Sequence, residues 1–253
     1  MAISAAIRPA LAKTKTAYLT IVQRNGWRCD LERSVVSMTF DDVPATAVEL
    51  GVPILDEFGA LATFYVCTDL HSVLGRPTVD LSTVAELSDA GHEIGCHTAS
   101  HIDTRHDRPE VVLADCAANR ERLAAVTGGA WPRNFSYPFG RVAVRSKHQI
   151  GSSYRSLRST RAGVNCGAVD LNCLSSTPLY ANDYSRAWAE KLVAQLRAKP
   201  SWLILYTHGV SEKPAVDVEA HQLVELLGLL RDAGIDLATV DTVLDRIKAP
   251  PAS

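Results

Sequence analysis

The sequence predicts an α/β fold built on a mostly parallel sheet, and three features predict it. Short β-type runs alternate with longer helix-type segments along most of the chain, the rhythm of repeated β-α units. The strongest of these runs, residues 201–207, is apolar almost without interruption (Ser-Trp-Leu-Ile-Leu-Tyr-Thr), which suits a strand buried on both faces. Several helical patterns are followed closely by glycine or proline, the residues that stop helices.

Taken in order, residues 34–40 (Ser-Val-Val-Ser-Met-Thr-Phe) form the first strong strand and run into Asp41-Asp42. Residues 62–66 are the second strand. The helix predicted over 84–90 stops at Gly91, and Glu93 to Cys96 is a short third strand. From Pro109 to Val126, the residues Val112, Cys116, Ala117, Leu123 and Ala124 recur at near-helical spacing before Gly128-Gly129. Residues 134–137 are a fourth strand, ended by Pro138. Residues 151–180 mix Ser, Arg and Gly with short apolar runs and read as loops plus one or two short strands. A helix over 188–196, with Pro200 beyond it, leads to the strand at 201–207. A helix over 221–233 ends at Gly234, and residues 236–240 form the last strand. There is no internal repeat, low-complexity tract or linker, so one domain is expected. Residues 1–28 and the Pro250-Pro251 tail read as peripheral, leaving 29–248 as the domain proper.

Composition narrows the function classes. At 253 residues with 47% hydrophobic content the chain has ample material for a core, and its net charge of −2 provides no global basic field for nucleic acid or anionic membrane. No nucleic-acid motif is present, and no window approaches the ~18 apolar residues of a membrane span. The apolar stretch 2–7, flanked by Arg8, Lys13 and Lys15, is too short for a signal peptide. The six cysteines (Cys29, Cys67, Cys96, Cys116, Cys166 and Cys173) form no C-x-x-C pair and read as buried reduced thiols. Together these features lead to the expectation of a soluble, cytoplasmic protein.

Four elements carry groups capable of chemistry. Asp41 and Asp42 end the first strong strand, where a turn at Pro44 allows both carboxylates into one cleft; a solvated acidic turn or helix cap is the plain alternative. His97-Thr98-Ala99-Ser100-His101 places two imidazoles on one face if the segment makes a helical turn; two surface histidines are the alternative. Joined by a carboxylate from another strand end, they would make a three-ligand set with open positions, as a catalytic metal requires. His208 ends the most hydrophobic run, at the edge where α/β sheets hold their ligands, unless it is simply a capped surface residue. Tyr137-Pro138-Phe139-Gly140 is a stiff turn suited to presenting a backbone N–H into a cleft, or an ordinary turn. The remaining histidines, at 71, 92, 106, 148 and 221, read as structural or solvated.

In this order the four elements resemble the polysaccharide deacetylase family, carbohydrate esterase family four. Thr39-Phe40-Asp41-Asp42 matches its first motif, His97 to His101 its His-[Ser/Thr]-x-x-His motif, Pro138-Phe139-Gly140 its Pro-aromatic-Gly motif, and Leu205 to His208 its strand ending in His. The resemblance spans about residues 35–245. It implies a distorted (β/α) barrel of about seven parallel strands with outer helices, and it marks 29–248 as a catalytic domain. It implies an N-acetylated sugar as substrate and one divalent metal ion, zinc or else cobalt, nickel or iron, held by Asp42, His97 and His101. Asp41 would be the general base toward water on the metal, the Phe139 N–H an oxyanion donor, and His208 the general acid for the departing amine. Two positions depart from the family pattern or are loosely matched. Ser136 stands where many members have an Arg that orients the base, leaving Arg133, Arg158 or Arg161 to supply that charge. Asp183 lies in about the stretch of the acid that orients the general acid. Two rival readings are a same-fold hydrolase of a small linear or cyclic amide and a catalytically silent sugar-binding domain.

Overall fold

The computed structural model describes residues 25–211 and 216–247. Its strands are β1 (Gly26–Cys29), β2 (Val35–Asp41), β3 (Thr63–Val66), β4 (Ser72–Val73), β5 (Arg76–Pro77), β6 (Glu93–Cys96), β7 (Asn134–Ser136), β8 (Ser156–Arg158), β9 (Gly167–Asp170), β10 (Thr177–Pro178), β11 (Trp202–Thr207) and β12 (Asp236–Leu237). Its α-helices are α1 (Val52–Glu57), α2 (Leu81–Asp89), α3 (Pro109–Val126), α4 (Val144–Gly151), α5 (Arg186–Ala198), α6 (Ala220–Asp232) and α7 (Val240–Arg246). Seven strands pair in parallel in the order β10-β11-β2-β3-β6-β7-β8, and β12 joins the first half of β2. The sheet curls into a distorted barrel with helices outside. Residues 174–179 cross its open side and tie the two edges together. Leu174 N donates to Leu157 O at 2.9 Å, Ser176 N to Arg161 O at 3.0 Å and Leu179 N to Tyr206 O at 2.8 Å.

The period of two along each strand sorts the side chains. In β2, Val36, Met38 and Phe40 face the helices and join one core with Phe64, Val66, Leu203 and Leu205 and with Leu223, Leu226, Leu227 and Leu230 of α6. Each fully buried leucine there contributes roughly 1.5–3 kcal/mol. At the strand starts, Val35, Trp202 and Ile204 pack with Val240, Val243 and Leu244 of α7, which floors the barrel.

The inward set is largely polar, where barrel interiors are commonly filled by branched aliphatics. Ser37, Thr39, Asp41, Thr63, Asn134, Ser136, Ser156 and Arg158 are all buried, and such groups persist only when hydrogen-bonded. Glu93 anchors the lower layer. Its carboxylate accepts from Thr63 Oγ1 at 2.9 Å, Asn134 Nδ2 at 2.7 Å and the Asp241 N–H at 2.8 Å. Burial pushes its pKa up despite these donors. Glu93→Ala strands three buried donors and is expected to cost about 3 kcal/mol, read as a lower urea midpoint at unchanged m-value. Above it the Tyr65 ring lies across β6, where a Cβ on Gly95 would meet ring carbons at 2.5 and 2.6 Å. Gly95 is therefore fixed by that close approach.

Several expectations shift. The predicted strand over 236–240 shortens because the Thr239 hydroxyl caps α7, accepting from Thr242 N at 3.2 Å. The helix expected from 84 starts at Leu81, because Asp80 accepts from Thr83 N at 2.8 Å and caps it there. Residues 151–180 hold β8, β9 and β10 rather than one or two strands. Each is two to four residues long, below the length at which periodicity is legible. Of the segment expected to be peripheral, residues 1–24 lie outside the described residues. Residues 26–28 belong to β1, which pairs antiparallel with β9, and Trp27 packs on the floor core. All six cysteines are free, and five of them are buried. No described helix is long and apolar enough to cross a membrane.

Candidate active site

The C-terminal ends of β2, β3, β6, β7, β8 and β11 converge on one cluster. Asp41 is the last residue of β2 and points into the barrel. The chain then turns sharply through Asp42 (φ 58°) and Val43 (φ 46°), which brings the next carboxylate to the same rim. A β-branched residue at positive φ is rare and costly. Six non-glycine residues have positive φ among those described: Asp42, Val43, Leu74, Thr98, His101 and Phe139. Five of them lie in the segments that carry the candidate chemistry, the pattern expected where a site rather than local propensity dictates the backbone.

His97 and His101 are brought together, though by a different route from the helical turn expected. Residues 97–101 form a bent loop without helix, with Thr98 (φ 64°) and His101 (φ 52°) left-handed. The Asp115 carboxylate holds the loop, accepting from Ala99 N at 2.5 Å and Ser100 N at 3.2 Å, while Thr98 Oγ1 accepts from Ile102 N at 3.2 Å. These side-chain acceptors replace helical hydrogen bonding. The two rings stand 5.1 Å apart between centroids.

Asp42 is the hub. Its Oδ1 lies 3.6 Å from His97 Nε2 and 3.4 Å from His101 Nε2, and its Oδ2 lies 3.8 Å from His208 Nε2. Donors on a tetrahedral divalent ion with bonds near 2.0–2.2 Å sit about 3.3–3.6 Å apart, so both Oδ1 separations fit a metal centre. His97 Nδ1 is 2.7 Å from the Ser136 carbonyl. A carbonyl only accepts, so Nδ1 carries the proton and Nε2 presents its lone pair. Burial, with the neighbouring His97, pulls the His101 pKa down to about 4 against the opposing pull of Asp42, leaving a neutral imidazole suited to ligation. The same logic fixes His208. Its Nδ1 donates to Val216 O at 3.2 Å, so Nε2 is the atom facing the cluster. This carbonyl, and not Asp183, orients the ring; Asp183 is solvent-exposed in a turn after Tyr180.

Arg158 takes the place of the Arg that Ser136 displaces. Its Nη2 donates to Asp41 Oδ1 at 2.5 Å, and also to Asp41 Oδ2 and Ser136 Oγ, and its Nη1 donates to Ser176 Oγ at 3.1 Å. The guanidinium lies between the Tyr65 and Tyr206 rings, 5.3 and 4.9 Å from their centroids. Ser136 and Arg158 are direct register partners on β7 and β8, so a charge arriving from the next strand needs a small residue at 136. Burial works to raise the Asp41 pKa, but Arg158 foremost, with His97 and His208, overrides it and holds the carboxyl below its ordinary range. The other candidates serve elsewhere: Arg133 pairs with Asp241 at 2.8 Å, and Arg161 donates to Ser175 Oγ at 2.9 Å.

Phe139 (φ 58°, ψ 9°) sits in a single 3₁₀ turn, Pro138–Gly140. Its half-exposed ring stands edge-on to His101 at 4.3 Å, with Arg141 4.8 Å from the centroid. Gly140 (φ 61°) is forced twice over, because a Cβ there would also meet Thr160 Oγ1 at 1.9 Å. One residue whose sequence context marks it only as a buried thiol joins the cluster. Cys67 Sγ donates to His97 O at 3.0 Å and lies 3.8 Å from Asp42 Oδ1. Its sequence signal is its position directly after β3, level with His97 after β6, since Val66 and Cys96 are register partners.

The sequence model of the polysaccharide deacetylase family matches residues 29–154, about half the chain, including both aspartates, both loop histidines and the Phe139 turn. A chitooligosaccharide deacetylase from Azorhizobium caulinodans is 30% identical over 115 residues, covering 45% of this chain and 51% of that protein. The chain thus spans about half the length of this curated relative. Among solved structures, a family 4 carbohydrate esterase from Bacillus anthracis aligns over 87% of this chain and 86% of its own, with a TM-score of 0.60 at 18% identity. A family 4 acetyl xylan esterase from Clostridium thermocellum, in complex with a cobalt ion, aligns over 84% and 91%, with a TM-score of 0.58 at 20% identity. The fold is theirs, and the chain belongs to the polysaccharide deacetylase family.

Proposed function

We propose that this protein is a metal-dependent hydrolase that removes N-acetyl groups from amino-sugar oligo- or polysaccharides. One observation carries the reading. The Asp42 carboxylate faces three imidazoles at 3.4–3.8 Å, beside a second carboxylate, Asp41, that Arg158 keeps ionised. Family membership and the likeness to a chitooligosaccharide deacetylase support the substrate class.

Asp42, His97 and His101 would hold the ion, zinc being the first choice for two nitrogens and an oxygen, with cobalt, nickel and iron as alternatives. When bound, a divalent ion lowers the pKa of water and polarises an amide carbonyl. Asp41 accepts the proton of the attacking water at its carboxylate. Its low pKa keeps it unprotonated, and Arg158 fixes its orientation. The Phe139 N–H, on a left-handed backbone, would donate to the oxyanion that develops on the carbonyl oxygen. His208 delivers a proton from Nε2 to the departing amine, the Val216 carbonyl holding its other nitrogen. Acetate and a free amino sugar result. A reducing, cytoplasmic setting accords with six unpaired cysteines.

The test is acetate release from chito-oligosaccharides. Stripping the metal is expected to abolish it, and zinc or cobalt to restore it. Turnover of small linear or cyclic amides instead would move the substrate class. Sugar binding with no turnover under any metal would favour a silent domain, a reading whose motive, an unassisted Asp41, the Arg158 contact removes.

A further inference from the structure

We infer that Cys67 is a direct donor to the ion held at this site, giving an Asp42–Cys67–His97–His101 centre that favours thiophilic divalent ions. The inference rests on the proposed metal site and adds a sulfur that the family motifs do not include.

Three observations converge. First, the ligand atoms of Asp42, Cys67 and His97 all lie within 4.8 Å of one another, and all three residues are buried. Second, Asp42 Oδ1 is the common neighbour of His101 Nε2 at 3.4 Å, His97 Nε2 at 3.6 Å and Cys67 Sγ at 3.8 Å. Sulfur bonds near 2.3 Å and oxygen bonds near 2.0–2.2 Å place two donors about 3.5 Å apart on a tetrahedral ion, and the Sγ–Oδ1 separation of 3.8 Å is close to that spacing. Third, the position belongs to the site and not to the core packing. Phe64 and Val66 of β3 face the helix-side core, whereas the sulfur one residue on lies between the His97 carbonyl, to which it donates at 3.0 Å, and the Asp42 carboxylate at 3.8 Å. The next thiol, Cys96, is engaged elsewhere, accepting from Asn119 Nδ2 at 3.1 Å.

The chemistry follows from softness. A thiolate selects zinc, cobalt or cadmium over magnesium and manganese, which oxygen ligands suit. Zinc can expand to five-coordination in a transition state, which beside four protein donors leaves one position for water or substrate.

The test is optical titration of metal-free protein with Co²⁺. Visible d–d bands report binding, and the intense near-ultraviolet thiolate-to-cobalt charge-transfer band reports sulfur. The wild type is expected to show both. Cys67→Ser is expected to keep the d–d bands, lose the charge-transfer band, and bind Cd²⁺ at least about tenfold more weakly with an unchanged far-ultraviolet circular dichroism spectrum. Cys166→Ser, at the half-buried thiol, is expected to keep both bands. Wild-type d–d bands without charge transfer would overturn the Cys67 assignment and leave the proposed function standing. Absence of both bands would overturn the metal reading as well. The wild-type spectrum decides these outcomes even if the Cys67 variant folds poorly.

Discussion

Replacing Asp41 with Asn is expected to leave metal binding intact and to reduce kcat by about 10²–10⁴-fold, the range for losing a positioned general base. The substitution keeps the size and one acceptor of the side chain but removes the basic oxygen that faces Arg158. Asp42, His97 and His101 are untouched, so cobalt or zinc should still bind near stoichiometrically. Ala at Asp42 or His97 should behave differently, losing metal and turnover together. Metal titration alongside acetate release separates the two cases, and normal turnover by Asp41→Asn would sink the assigned base. Because Arg158 loses its counter-charge, some loss of stability accompanies the change, so the measured metal stoichiometry also confirms that the variant is folded.

Arg158→Met is expected to have the largest effect on stability, about 3–5 kcal/mol, because it leaves a buried carboxylate without its partner. The guanidinium is 1% exposed and its carboxylate partner 7%, so solvent screens the pair little. The pH dependence carries the sharper signature. In the wild type the Asp41 pKa is held below its ordinary value. The stability from that shift is fully present above the unfolded-state pKa of about 3.9 and is lost as pH falls through the lower folded value. In Arg158→Met, burial acts with less opposition, the Asp41 pKa rises, and the acid limb of kcat/KM moves to higher pH. Urea midpoints across the acid range and a pH–rate profile check both. An unmoved acid limb would show that Arg158 braces the barrel without tuning the base.

The main strands were legible because they are long enough for composition to speak. Residues 34–40 and 201–207 contain enough β-branched and apolar residues to declare themselves, and β2 and β11 form there. The α3 helix matches its expected bounds because Pro109 starts it and Gly128-Gly129 follows it. β8 and β10, at three and two residues, lie beneath that threshold. They exist because the curled sheet offers them edges to pair with, a tertiary cause with no local trace.

The candidate site divides the same way. The sequence by itself determined the polysaccharide deacetylase motifs and their order, because Asp41, Asp42, His97, His101, Phe139 and His208 each stand at a strand end or turn that local residues announce. Only the tertiary structure decided which partner each one meets. Three arginines were equivalent as symbols, and strand register put Arg158, not Arg133 or Arg161, opposite Ser136 and onto Asp41. A backbone carbonyl 3.2 Å away fixed the His208 ring in place of Asp183, a role that no side-chain pattern records. Cys67 read as one more buried thiol until the pairing of β3 with β6 set it beside His97 and Asp42. The physical reason is common to all three. Donors and charges act over about 3–4 Å, and those distances are set by strand register and loop packing, not by a pattern legible along the chain. The separations bridged are 8 residues for His208 and Val216, 25 and 30 for Cys67 with Asp42 and His97, and 117 for Arg158 and Asp41.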